Sequence, residues 1–327
     1  VVDGNTALVQ GFGTVKAVDA QSGKLRWSGV VEDNTFLYWV YHCLPEDAGQ
    51  SGLLDLFLGQ RIWANQTAAS LASDGQRVYA ITGTGMIGTN RNVFVPGRGM
   101  MPRSELAPSN ENRLLAYDIQ TGLLKWELGG AAASEAFPGA DPDLERNSRM
   151  AGAFFLGAPL AVEGRLFVMA EDRSEVRLLS LVPESGDVEW SIPLVNPDKS
   201  VEQDEIRRIV GLTPTYAGGL LICPTAEGIV VAVDPLRRRV KWVHQYRVRP
   251  RQVLMRGGFR MQQRDRFGIN QNALLDRLLR ERRWVDATPL VNAGRILLPA
   301  VDSHELICLD VETGEVYWKI PRGDGLY

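Results

Sequence analysis

Cysteine and histidine are scarce in this sequence, and each shortage narrows what the chain can do. Three cysteines in 327 residues, Cys43, Cys223 and Cys308, stand far apart, which excludes a disulfide framework and the close spacing of a zinc site. Cys223 and Cys308 lie in apolar runs and read as buried free thiols. The three histidines, His42, His244 and His304, are equally isolated and show no metal spacing. No run approaches the ~18 uncharged apolar residues that a membrane-crossing helix needs. Neither an initiator Met nor a signal peptide opens the chain at Val1-Val2-Asp3-Gly4, so any export signal is expected upstream of a chain that starts internally. A phosphate-cradling glycine loop and the usual Ser or Cys nucleophile motifs are also missing. Asp141-Pro142-Asp143 with Glu145 falls short of an oxygen-ligand loop for Ca²⁺ and reads as a solvated loop. Arg322-Gly323-Asp324 reads as a turn.

What is present is a soluble globular composition, with 45% hydrophobic and 23% charged residues, and a phrase that repeats five times. Its form is a small residue, any residue, Asp, three residues, Gly, three residues, Trp. It runs Ala17-Val18-Asp19 to Gly23 and Trp27, and Ala116-Tyr117-Asp118 to Gly122 and Trp126. It returns from Ser180 to Gly186 and Trp190, from Ala232-Val233-Asp234 to Trp242, and from Cys308-Leu309-Asp310 to Gly314 and Trp318. Val182 and Arg238 stand where one unit each would carry the Asp and the Gly, so those two corners are expected to be locally altered. The Asp can accept backbone N–H groups of the turn that follows, with Ser22, Thr121 or Thr313 in support. Gly supplies the left-handed residue that closes the hairpin. Trp can bury its ring between neighbouring units while its N–H finds a carbonyl.

Upstream of each phrase a turn precedes a β-rich run: Asp3-Gly4, Asp74-Gly75, Glu163-Gly164, Gly218-Gly219 and Ala293-Gly294. Pro159, Pro214 and Pro289, with Ser70 in the same place, stand five residues before the turn Gly, and a strand is expected to end near each. The distance from turn Gly to Trp is 23, 51, 26, 23 and 24 residues, so the second unit carries an extra segment near 85–112, rich in Gly, Pro and Asn, that reads as an inserted loop. The middle strands, such as Leu114-Leu115-Ala116-Tyr117, are apolar on both faces, as in sheets covered on both sides. Four-stranded antiparallel sheets stacked face to face form a β-propeller.

The Ala-x-Asp-x-x-Thr-Gly-x-x-x-Trp pattern resembles the tryptophan-docking motif of the PQQ-like β-propeller repeats. The resemblance covers all five units. The stretches Ala158-Pro159-Leu160, Leu221-Ile222-Cys223-Pro224-Thr225 and Trp318 to Asp324 are similar to the large BamB-like propeller proteins of planctomycete bacteria. The resemblance implies an all-β fold, and members commonly close with seven or eight blades. Here the first unit is expected to begin at its second strand and few residues follow Trp318, so the expected form is an incomplete ring of roughly 4.5–5 blades cut from a longer protein. A closed five-blade ring, with residues 319–327 beside residues 6–10, is the alternative.

Four insertions are expected to carry any function: residues 28–62, with aromatic residues and a short helical run over 51–59, then 85–112, 129–152 and 245–283. From Arg237 to Arg283 there are 15 Lys and Arg against three acids, about +12, which leaves about −15 elsewhere. Residues 272–284 read as an amphipathic helix. Arg249, Arg251, Arg256 and Arg260 are therefore candidates for binding an anionic partner, the alternative being that this segment lies against the acidic remainder of the chain. For function, the resemblance implies a non-catalytic scaffold for protein partners in the bacterial cell envelope, periplasmic or attached to the outer membrane. A sensor domain of a larger protein is a further possibility. A PQQ-dependent dehydrogenase is the enzymatic alternative. Its adjacent cysteine pair is missing and no Asp, Asn and Glu set matches its cation site, so no cofactor, metal or catalytic residue is assigned.

Overall fold

A computed structural model describes residues 1–11, 14–30, 65–83, 93–95, 99–101, 112–130, 149–201, 203–247, 287–303 and 305–321. Its strands form five four-stranded antiparallel blades. Blade 1 holds β1 (Val2–Asp3), β2 (Thr6–Gly11), β3 (Thr14–Asp19) and β4 (Leu25–Val30). Blade 2 holds β5 (Leu71–Ser73), β6 (Arg77–Thr82), β9 (Arg113–Asp118) and β10 (Leu124–Gly129), with a separate hairpin of β7 (Val93–Val95) and β8 (Gly99–Met101). Blade 3 holds β12 (Leu160–Val162), β13 (Arg165–Asp172), β14 (Glu175–Leu181) and β15 (Val188–Val195), extended by β11 (Phe154–Phe155) beside β13. Blade 4 holds β16 (Thr215–Ala217), β17 (Leu220–Pro224), β18 (Ile229–Asp234) and β19 (Arg239–Gln245). Blade 5 holds β20 (Leu290–Asn292), β21 (Arg295–Pro299), β22 (Glu305–Asp310) and β23 (Val316–Pro321).

Three readings of the sequence need correction. Blade 1 does not begin at its second strand, because Val2 and Asp3 pair with Ala7 and Thr6 as a short first strand. First strands begin just after the Pro positions and do not end there; proline cannot donate to a ladder and so stands before the strand. The 85–112 segment is not wholly a loop, since it contains the β7–β8 hairpin. Among the described residues β23 pairs only with β22, and residues 319–321 do not lie beside residues 6–10. The five blades make an incomplete ring. The helical runs expected at 51–59 and 272–284 lie outside the described residues.

The strand period of two explains the stacking. In β6, Val78 and Ala80 pack with Leu8, Val15 and Ala17 of blade 1, while Tyr79 and Ile81 pack with Leu166 and Val168 of blade 3. In β13 the same alternation sends Phe167 and Met169 the other way, to Leu221, Cys223 and Val231 of blade 4. Each middle strand of blades 2, 3 and 4 thus serves two interfaces, which is why it is apolar on both faces. There are four such interfaces, or seams, each with its own buried cluster. First strands adjoin one another across three of them, β5 with β12, β12 with β16 and β16 with β20. They form the hub, and the fourth strands form the rim.

Three seams are fixed by the same contact. The Trp27 indole N–H donates to the Ile119 carbonyl at 2.7 Å, Trp126 to Pro183 at 2.8 Å and Trp242 to Val311 at 3.0 Å. In each case the acceptor sits one residue past the Asp position of the next blade. The ring rests on that blade's glycine: a Cβ on Gly122, Gly186 or Gly314 would lie 2.6–2.8 Å from the indole of Trp27, Trp126 or Trp242. These glycines also have φ of 71–72°, where a side chain costs about 1 kcal/mol or more. Gly23 shares the backbone geometry at φ 69° but has nothing within 4 Å of a Cβ.

That difference separates two costs. Gly23→Ala is expected to lose about 1 kcal/mol from backbone strain alone, and Gly122→Ala about 2–4 kcal/mol because overpacking against Trp27 is added. Thermal unfolding of the two variants checks this, and equal losses would mean that the indole contact contributes nothing.

Candidate functional site: the face that carries the long connections

In an up-and-down blade the turns from first to second and from third to fourth strand lie on one face. Connections from second to third strand, and from fourth strand to the next blade, lie on the other. The first face is uniform. There the carboxylate of Asp19 accepts N–H groups of Gln21 and Ser22, that of Asp118 those of Gln120 and Thr121, and that of Asp310 those of Glu312 and Thr313. Asp234 accepts from Arg237, by backbone and guanidinium. These donors hold the carboxylates below the ordinary value: the Arg26 guanidinium first for Asp19, the Thr121 N–H for Asp118, Arg237 for Asp234 and the Thr313 N–H for Asp310. Where Val182 replaces the Asp, the backbone turn persists through Gly186 N–H to the Val182 carbonyl.

The strands that bound the four expected insertions end on the second face, at the connections between blades 1 and 2, 2 and 3, and 4 and 5 and within blade 2. Most residues of these insertions, including Arg249, Arg251, Arg256 and Arg260, lie outside the described residues, as do His42, Cys43, His304 and Arg322-Gly323-Asp324 in full or in part. What is described there is a set of buried polar bridges between blades. Asn112 is 1% exposed and bonds twice to Phe155, its amide donating to the carbonyl at 2.8 Å and its oxygen accepting the N–H at 2.7 Å. Its side chain thereby acts as one more residue of strand, continuing blade 2 into β11.

Two short helices line the hub on this face. Helix α1 (Gln66–Ala69) is capped by Asn65, whose oxygen accepts the Ala68 N–H, and α2 (Glu205–Ile209) by Asp204, which accepts from Ile206 and Arg207. Neither carries a periodic signal, being four and five residues long. The buried Thr67 hydroxyl donates to the Leu156 carbonyl at 3.2 Å and accepts the Gly211 N–H at 3.2 Å. Leu212 N–H also donates to Leu156, and Ala287 N–H to Val210. The approach is close enough that a Cβ on Gly157 would meet the Leu212 backbone at 2.7 Å. Blades 2 to 5 are thus joined at the hub by backbone segments.

The strongest charge cluster lies beside them. Arg207 is fully buried and is held by Glu171 of β13, Asp204, Glu227 of the blade 4 hairpin and the Lys199 carbonyl. Burial pushes the Glu171 carboxyl up, against the pull of Arg207 and of the Val201 N–H. Arg208, also buried, lies over the Phe154 ring at 4.7 Å. At the next seam the Tyr246 hydroxyl donates to Asp302 at 2.7 Å, and burial with that carboxylate holds the phenol well above its usual value. Cys223 and Cys308 are both buried, and burial raises the Cys223 thiol. Among the described residues no group of three or more His, Cys, Asp and Glu is arranged to hold a metal ion, and no helix is long and apolar enough to cross a membrane. The chemistry on view is positioning.

A family model described as outer membrane protein assembly factor BamB matches residues 53–320. The chain belongs to the BamB family of β-propeller repeat proteins. Among solved structures it is similar to BamB from Moraxella catarrhalis, with a TM-score of 0.50 and 14% identity over 98% of this chain and 62% of that one. It also matches a europium-containing methanol dehydrogenase (TM-score 0.47, 14% identity, 98% of this chain and 50% of that one) and the quinohemoprotein alcohol dehydrogenase of Comamonas testosteroni (TM-score 0.48, 14% identity, 98% and 42%). The chain thus spans less than two thirds of these structures, and at such identity they show the fold alone. A comparison with curated protein sequences finds no match.

Two expectations concern the polar groups. Asn112→Leu removes both bonds to Phe155 and leaves a buried N–H and carbonyl unpaired, for an expected loss of about 2–4 kcal/mol in denaturant unfolding. Asp118, held at about 2 against an ordinary 3.8, contributes stability that is complete above the ordinary value and disappears as pH falls through the folded one. The gap in melting temperature between the native chain and Asp118→Asn should therefore be constant from pH 7 to about 5 and close between about 4 and 2. A gap unchanged down to pH 2 would count against the carboxylate.

Proposed function

We propose that this chain is a non-catalytic docking platform for protein partners in the bacterial cell envelope. The observation that carries the reading is the division between its two faces. One is a set of short turns committed to blade stacking, and the long connections leave and return at the other, where the hub is held by buried polar bridges. A rigid support with several variable loops on one face suits recognition of other proteins. Membership of the BamB family supports the envelope location and the role in assembly. The basic segment around Arg249, Arg251, Arg256 and Arg260 belongs to the connection between blades 4 and 5, which leaves and returns at that face, and its charge favours an acidic surface on the partner.

Photo-crosslinking side chains placed at the exposed positions Arg173 and Gln203 on the connection face are expected to give discrete protein adducts in envelope preparations. The same probe at Gln21, Gln120 or Glu312 on the turn face is expected to give few. Dye-linked alcohol oxidation by the purified protein, supplied with pyrroloquinoline quinone and Ca²⁺, is expected to stay at background. Turnover above background, or adducts spread equally over both faces, would overturn the reading.

A further inference from the structure

The seam between blades 3 and 4 lacks the contact that fixes the other three. Trp190 occupies the same register as the docking tryptophans, opposite Ser180 as Trp126 is opposite Ala116, and it meets Phe167 as Trp126 meets Tyr79, with ring centroids 5.7 and 5.8 Å apart. Its expected acceptor is the Pro235 carbonyl, one residue past Asp234. No hydrogen bond from the Trp190 indole is found among the described residues, although the ring packs partly buried on the core of its seam as Trp242 does on its own. The cause stands in the next blade. Arg238 replaces the glycine, keeps a left-handed φ of 52° and points into solvent. A Cβ at the equivalent position elsewhere would lie within 2.8 Å of the indole, so the ring cannot rest on this corner as it rests on Gly122, Gly186 and Gly314.

On the opposite face the same seam holds an arginine more fully enclosed by charge than any other among the described residues. Arg207, from the connection between these two blades, joins Glu171 of blade 3 to Glu227 of blade 4. Asp204 and the Lys199 carbonyl complete its partners, and the side chain is fully enclosed. We infer that Arg207 is the positioning residue of this seam, a charged latch on the connection face that takes the place of the tryptophan contact on the turn face. One end of this seam is therefore tied by charge while the other is loosely closed. The seam opens from the Trp190 end, and Arg207 is the pivot. The latch lies on the face proposed to meet partners, so a partner that drew on Glu227 would act on the pivot directly.

Hydrogen exchange with mass spectrometry on the whole chain tests this, read separately for β13–β15 with β16–β19 and for the other blades. Arg238→Gly removes the Cβ and the left-handed strain, letting Trp190 reach Pro235. It is expected to raise the melting temperature by a few degrees and to slow exchange about tenfold in the two blades flanking this seam, with the other blades unchanged. Glu227→Gln, which keeps shape and hydrogen-bonding capacity, is expected to speed exchange at the same seam, and to do so less in the Arg238→Gly background. Arg238→Gly with no gain in protection, or Glu227→Gln loosening all seams equally, would overturn the assignment.

Discussion

The arc depends on an indole ring lying against a backbone that has no Cβ. The contact is shared between blades: Trp27 needs Gly122, Trp126 needs Gly186 and Trp242 needs Gly314. Each glycine serves twice, because the hairpin needs its left-handed φ and the neighbour's ring needs its missing side chain. The small residue opposite each tryptophan, Ala17, Ala116 or Ala232, keeps the base of the ring clear. Burying an aromatic ring of this size, with its N–H satisfied, contributes about 3–5 kcal/mol by the usual cost of truncation. Stability is thus concentrated at points that two blades must supply together, as expected of a repeat that cannot bury its faces alone.

The same contact accounts for where the chain varies. The turn face cannot lengthen, because the acceptor carbonyl lies one residue past the Asp and the glycine four residues past it. An added residue would move both away from the ring. Second-to-third-strand and interblade connections meet no such requirement, and a longer loop costs little closure entropy. The long connections accordingly leave and return on the other face. The division into a structural and a variable face follows from packing geometry before any partner is considered. Function then has only one face on which to vary.

This also explains what could be read from the sequence. Asp, Gly and Trp recur at fixed spacing because the corner is local, and alternation in strands such as β13 reflects two covered faces. Both signals lie within a few residues of one another. The first strand of blade 1 escaped because two residues, Val2 and Asp3, carry no period. The helices α1 and α2 escaped for the same reason, although Asn65 and Asp204 are ordinary capping residues. The hub was hidden more completely. Thr67 meets Leu156 and Gly211, Asn112 meets Phe155, and Arg207 meets residues from three separate turns. Such bridges join distant points once each, so no repetition announces them. Arg238 was visible as a departure from the pattern, but its consequence for Trp190 in the preceding blade was not.

A buried arginine is an uneconomical way to hold a seam, and that bears on why it is there. Removing the carboxylates of Glu171 and Glu227 and a guanidinium from water costs several kcal/mol per ion before any attraction is counted, and the Glu171 carboxyl is accordingly pushed up by burial. An indole docked on a glycine corner holds the other seams at less cost. What the cluster adds is geometry. A guanidinium offers its donors in a fixed plane, so Arg207 fixes the connection at α2, the end of β13 and the blade 4 hairpin in one arrangement. An apolar contact tolerates small slips, whereas a buried charge left without its partner does not. At the seam where the glycine corner is missing, register must be set by something equally intolerant of displacement, and a fully partnered buried charge meets that condition.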